Sequence, residues 1–239
     1  MTHVNNLQAF NSLIGYCTGY GGKYNPGRQN LRIEALQSQL EAVRQVIDQV
    51  KETKVHFINE VNERKQVFAQ LPALASSVLR TMVASGTSEE RLVSTRMLVT
   101  NILGKSQKPR TPVSAGGAQP AAEIAKRSSL QMSFWSKTDS FSQLVKMVAS
   151  EPLYQPNEPE LSLNGLMKKL AELEAMNQRV ATARVQWSNA MRQRKDAMYD
   201  GNESLYRIAI AVKSYLRAIF GFNSTQYEQV KNILVTKIP

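Results

Sequence analysis

Residues 31–68 read LRIEALQSQLEAVRQVIDQVKETKVHFINEVNERKQVF, thirty-eight residues with no proline and no glycine. Nothing in the stretch forces a break, so it predicts one long helix approaching 60 Å at about 1.5 Å per residue. Positions 36, 40, 43, 47, 50, 54, 57, 61, 64 and 68 step alternately by four and three, the spacing of one side of a coiled-coil-like helix. They read Leu, Leu, Val, Ile, Val, Lys, Phe, Val, Arg and Phe, eight of the ten apolar. A helix with such a seam packs sideways against other helices.

The same pattern returns 130 residues later. Identities join Tyr24 to Tyr154, Pro26 to Pro156, Leu31 to Leu161, Leu36 to Leu166, Leu40 to Leu170, Val50 to Val180, Val55 to Val185, Asn59 to Asn189, Arg64 to Arg194 and Lys65 to Lys195. Ten identities in forty-five positions compare with about three expected from ordinary composition. Val43/Leu173, Phe57/Trp187, Val61/Met191 and Phe68/Met198 keep their apolar character. Two copies of one helical unit are the simplest account. In each copy an apolar segment (Leu7 to Gly15, Phe141 to Ala149) runs into a Tyr-x-Pro loop and then into the long helix. The long helices are expected to stop near Leu71-Pro72 and Asp200-Gly201-Asn202. Shorter helices return over 73–85 and 203–220, and after the glycine stops at Gly86 and Gly221 last helices begin at Glu89 and Thr225.

The expected fold is therefore all-α, an elongated bundle of two pseudo-repeats of long helical hairpins. Its parts are repeat 1 over 1–104, a linker or strap over 105–138, and repeat 2 over 139–239, the two repeats packing as one domain. Lys-Pro, Thr-Pro, Gly-Gly and Gln-Pro steps mark the linker, which carries a local excess of cations.

Two polar exceptions recur in the seam. Lys54 and Arg184 share one equivalent position, and Arg64 and Arg194 another, with Lys65 and Lys195 beside them. A cation buried there without a partner costs several kcal/mol, so each must snorkel, pair with a carboxylate or meet an external anion. Lys54, Arg64, Lys65, Arg184, Arg194 and Lys195 are the candidate interaction positions.

The chain of 239 residues carries 30 Lys+Arg against 19 Asp+Glu, a net charge of +11, divided evenly between its halves. Such an excess attracts polyanions without specifying one. One cysteine excludes an internal disulfide, and two histidines, His3 and His56, make a His-rich metal site a poor expectation. Gly19-Tyr20-Gly21-Gly22-Lys23 lacks phosphate-loop spacing, Cys17 has no nearby histidine, and no carboxylate constellation stands out. No catalytic, cofactor-binding or metal-binding residue is nominated. The most apolar window reads as Leu205 to Phe222, which Arg207, Lys213 and Arg217 interrupt, and the N-terminus shows no secretory signal. A cytoplasmic protein without a membrane span is expected.

The run from Cys17 to Pro26, then Gln131-Met132-Ser133-Phe134, Lys213-Ser214-Tyr215 and Phe220-Gly221, resembles a family of uncharacterised all-helical proteins of Bacteroidota over nearly the whole chain. The resemblance implies the helical two-copy architecture and transfers no activity or site. The functional expectation is a non-enzymatic scaffold that self-associates or binds another protein along its long helices. The alternative is sequence-independent nucleic-acid binding through the basic surface. Arg179, Arg184, Arg192, Arg194, Lys195, Arg207, Lys213 and Arg217 enrich one stretch in cations, without a recognised nucleic-acid motif. A membrane-acting bundle and an enzyme whose site has no motif are the remaining classes.

Overall fold

The computed structural model describes residues 2–104 and 133–238, and these residues form helices with no strand among them. The order is α1 (His3–Gly19), α2 (Ile33–Ala69), α3 (Leu71–Ala84), α4 (Glu89–Leu103), α5 (Phe134–Ala149), α6 (Leu163–Lys195), α7 (Leu205–Phe220) and α8 (Thr225–Lys231). A single turn of π-type helix, Asp196–Asp200, follows α6 and hands the chain to α7. The 37 residues of α2 and 33 of α6 are the unbroken rods expected, about 55 and 50 Å long.

Side chains set several helix starts. Thr2 accepts a hydrogen bond from the Asn5 N–H, Ser133 from Ser136, Ser162 from Gly165 and Ser224 from Tyr227, each satisfying an otherwise orphaned donor of the first turn. The Ser133 cap corrects the linker boundary. Residues 134–138, expected to be linker, are the first turn of α5, and Thr138 is buried within the protein. The remainder of the expected strap, 105–132, lies outside the described residues. Gly86 and Gly221 end their helices with φ of 77° and 89°, a backbone that a side chain resists.

The chain divides into two compact units, and each draws on both halves of the sequence. Unit 1 holds residues up to Phe57 and those from Ala183 onward; unit 2 holds Ile58–Thr182. In unit 1, α1 packs with α7 and α8. Their core joins Phe10, Leu13, Leu36, Val43 and Ile47 to Met198, Leu205, Ile208, Val212 and Leu216. In unit 2, α3, α4 and α5 pack together around Leu71, Val78, Met82, Ile102, Phe141, Leu144, Leu166 and Leu173. Each unit thus combines the opening helix, Tyr-x-Pro loop and first part of a long helix from one half with the end of the other long helix and its return helices. The compact units cut across 1–104 and 139–239 instead of coinciding with them.

The 130-residue correspondence reappears in local geometry. The Tyr24 hydroxyl donates to the Leu31 carbonyl at 2.7 Å and the Tyr154 hydroxyl to the Leu161 carbonyl at 2.8 Å. Backbone bonds Tyr24 N to Gly21 O, Leu31 N to Arg28 O and Leu36 N to Arg32 O have counterparts at Tyr154–Glu151, Leu161–Glu158 and Leu166–Ser162. Both tyrosines are buried, which pushes their hydroxyl pKa up, to about 12 at Tyr154. They remain neutral donors across the physiological range.

The hydropathy expectation for Leu205 to Phe222 is corrected. The stretch Ile33–Ala84 contains an 18-residue window of mean hydropathy 1.3, long and apolar enough by composition to cross a membrane. Leu71, Ala75, Val78 and Met82 of that stretch are buried in the core of unit 2, while 28% of the window as a whole is buried.

A basic side on the long helices

The seam is buried toward both ends of each long helix and opens between them. Leu36, Leu40, Val43, Ile47, Val50 and Phe68 are buried, as are Leu166, Leu173, Asn177, Val180 and Met198. Phe57, Val61 and Arg64 are half-buried, and so are Trp187, Met191 and Arg194, whereas Lys54 and Arg184 are exposed. Lys54 and Arg184 hold seam positions where the seam is open, so neither cation is buried.

Phe57 and Trp187 stack in unit 1 with ring centroids 5.5 Å apart and 22° between planes. Farther along, the Gln39 amide donates to the Glu203 carbonyl at 3.0 Å, so α2 and the α6 end run in opposite directions. Each residue turns an α-helix by about 100°, and on antiparallel helices the same rotation from a shared contact leads to the same side of the pair. Lys54 and Arg184, each three residues before its stacked ring, come out together at about 60° from the contact. Lys195 and Lys51 follow at about 80° and 120°, and Arg192 at about 140°. Val55 and Val185 point almost directly away from the contact, at about 160°, on opposite outer edges. Each is 57% exposed.

Neutralisation of these cations is uneven. Lys51 pairs with Asp48 at 2.6 Å, and Lys195 lies 3.4 Å from Asp200, a carboxylate also held by Lys237 at 2.7 Å. These lysines hold the Asp200 carboxyl below its usual range, the hydrogen bond from Lys237 first. Among the described residues Lys54, Arg184 and Arg192 meet no carboxylate; Arg192 reaches only the Asn189 amide oxygen at 3.4 Å. The sequence explains the surplus, since residues 181–195 contain Arg184, Arg192, Arg194 and Lys195 and no acidic residue.

Arg64 and Arg194 point into the seam instead. In unit 2 the Arg64 guanidinium lies 4.1 Å above the Phe134 ring, with Nη1 3.5 Å from the Asn177 oxygen. Burial lowers its pKa, and its Nε finds no partner among the described residues. Buried Asn177 in turn donates to the Thr138 hydroxyl at 2.9 Å, which accounts for an amide in an apolar seam. The Arg194 Nε is likewise buried without a partner. Lys65 is exposed on its helix.

The carboxylate at this level goes to a different arginine. Glu60, 5% exposed, accepts from Arg179 at 2.7 Å, and Glu63 lies 2.8 Å from the same guanidinium. The Glu60 hydrogen bond leads in raising the Arg179 pKa. Sequence reasoning counted Arg179 as a free cation and passed over Glu60; a separation of 119 residues offered no local signal. Arg91 and buried Glu151 form a second such pair at 3.2 Å, with Arg91 also donating to the Ser150 carbonyl at the end of α5.

Chemistry elsewhere is sparse. Among the described residues no group of three or more His, Cys, Asp and Glu side chains gathers as a metal site would require. Cys17 is buried, and burial pushes its thiol up to about 12, so little nucleophilic thiolate forms at neutral pH. An open groove of about 1110 Å³ in unit 2 runs between α3 and the start of α6, lined by Gln70, Leu74, Ser77, Asn164, Lys168 and Glu172 among others. Its mixed charges mark no reaction centre. Comparisons with known protein families, with curated proteins and with solved structures each found no match.

Proposed function

We propose that this chain is a non-enzymatic structural protein, built from two copies of one helical unit, that associates laterally with further copies of itself along its long helices. The observation that carries this reading is the pair Val55 and Val185. They occupy corresponding positions and stand 57% exposed on opposite outer edges of the helix pair, Val55 within a segment, 51–57, in which no residue is buried. Two similar apolar edges on opposite sides of one chain allow each copy to meet a neighbour on either side, a contact that need not close into a dimer. The matching tyrosine and backbone hydrogen bonds support the two-copy origin of those edges.

Light scattering on nuclease-treated protein at physiological salt tests the proposal. The expected result is a mass above 26.7 kDa that rises with concentration and returns to 26.7 kDa in the Val55→Lys/Val185→Lys variant. A constant 26.7 kDa for the unaltered chain would remove the proposal.

A further inference from the structure

We propose that the side of unit 1 bearing Lys54, Arg184 and Arg192 is a binding site for the phosphate backbone of double-stranded nucleic acid. The inference goes beyond the assembly reading and does not rest on it, because it is carried by the cations and the assembly reading by Val55 and Val185.

Three observations converge. First, rotation from the Phe57–Trp187 stack brings Lys54 and Arg184 out on one side of two antiparallel helices, so cations far apart in sequence act as one surface. Second, these two and Arg192 have no carboxylate among the described residues, whereas Lys51 and Lys195 beside them are paired with Asp48 and Asp200. The surface keeps its charge, as do exposed cations elsewhere, Arg32, Arg80 and Lys146 among them, which serve as the control below.

Third, the composition of this side selects among anionic partners. The valines turn to the outer edges, while Phe57 and Trp187 are half-buried against one another, leaving Ser188 between Arg184 and Arg192 on the exposed helix. A protein partner would need an apolar centre, and a lipid surface would need an apolar stripe beside the cations. On this side the exposed apolar residues are single, Ile58 about 40° around α2 from Lys54 and Val185 about 20° around α6 from Arg192, and they make no such centre or stripe. Regularly charged, sugar-phosphate backbone asks only for cations and polar donors on a long open surface. Arg184 and Arg192 are about 12 Å apart along α6, which lets them reach separate phosphates. With no side chain placed to read bases, the binding is independent of sequence.

The experiment uses the full chain and a fluorescein-labelled 30-base-pair duplex, with anisotropy read between 50 and 200 mM salt. Three phosphate contacts give a slope of about −2.7 in log affinity against log salt, so a fourfold rise in salt weakens binding about 40-fold. The Lys54→Gln/Arg184→Gln/Arg192→Gln variant is expected to lose most of that slope. A control with the same change of charge elsewhere, Arg32→Gln/Arg80→Gln/Lys146→Gln, is expected to retain it, and Arg184→Lys alone should bind nearly as the unaltered chain. Helicity by circular dichroism checks that every variant folds. The proposal is overturned by absent duplex binding at 50 mM salt or by equal losses in the two triple variants. Binding to phosphatidylserine vesicles without binding to the duplex overturns it too. None of these outcomes alters the solution mass, which tests the assembly reading separately.

Discussion

Cutting the chain between α4 and α5 perturbs both compact units at once, because neither belongs to one half of the sequence. In the core of unit 1, residues 1–104 supply eleven buried side chains, from Leu7 to Ile47, and the other half supplies eight, from Met198 to Val230. Met198, Leu205, Ile208, Val212, Leu216 and Val230 are each worth about 1.5–3 kcal/mol when buried, roughly 9–18 kcal/mol together. Domains of this size are stable by only about 5–15 kcal/mol, and area-based sums are upper estimates. Even so, a loss of this order removes any margin. Unit 2 suffers equally, with Phe68 to Ile102 on one side of the cut and Phe141 to Leu173 on the other. Fragments 1–104 and 133–239 should therefore each have weak helical circular dichroism and no cooperative melt as monomers. Mixed in equal amounts they should recover the helicity of the intact chain and sediment as a one-to-one complex. Either fragment may not be read as folded by helicity alone, since two copies could substitute for the missing half; sedimentation distinguishes the cases. A monomeric fragment that melts cooperatively with the helicity of its share of the intact chain would refute the crosswise arrangement.

Further predictions concern single residues. Tyr24→Phe and Tyr154→Phe each deprive a carbonyl of the hydroxyl donor of a buried tyrosine, so each should cost about 1–3 kcal/mol, read from urea melts, and the two costs should be similar. Gly165→Ala, which in an open helix would stabilise by up to about 1 kcal/mol, should instead lower Tm by several degrees. Its Cβ would stand 2.2 Å from the Pro159 carbonyl oxygen, whereas the equivalent Ala35 is native. His3 lies 2.9 Å from the Tyr199 hydroxyl, and burial, then Arg194, lowers its pKa below 6.5. The unfolded chain then binds the His3 proton more readily than the folded one, so stability should fall as pH drops below about 6.5. His3→Gln should flatten that part of the profile in melts at pH 7.5 and 5; an unchanged profile would count against the assignment.

Much of the fold was legible because it depends on local rules. An uninterrupted polar-and-leucine stretch with a four-three seam gave α2 and α6, and glycine followed by serine marked the starts of α4 and α8. The burial of Leu36, Val43 and Val50, and of their counterparts, followed from spacing alone. Periodicity states which side of a helix is covered and leaves open what covers it. The crosswise composition of the units therefore could not be read from the repeat. The start of α5 was missed although Ser133 offered a cap, because the proline- and glycine-bearing run before it dominated the window. At the candidate site, Arg64 was expected in the seam and is half-buried there, but its neighbours are an aromatic ring and an amide. Lys54 and Arg184 were expected at seam positions and are exposed there, because spacing does not state how far along a helix its neighbours cover the seam.

The central functional claim is that copies of this chain meet along the outer edges of the long helices. Intermolecular disulfide trapping reads that contact directly: Val55→Cys and Val185→Cys, each in a Cys17→Ser background, would be mixed and oxidised at physiological salt, with Arg32→Cys in the same background as the control. The account predicts rapid formation of a species of about twice 26.7 kDa through Cys introduced at either edge, and none through the control. Trapping at the edges no faster than at the control position would contradict it.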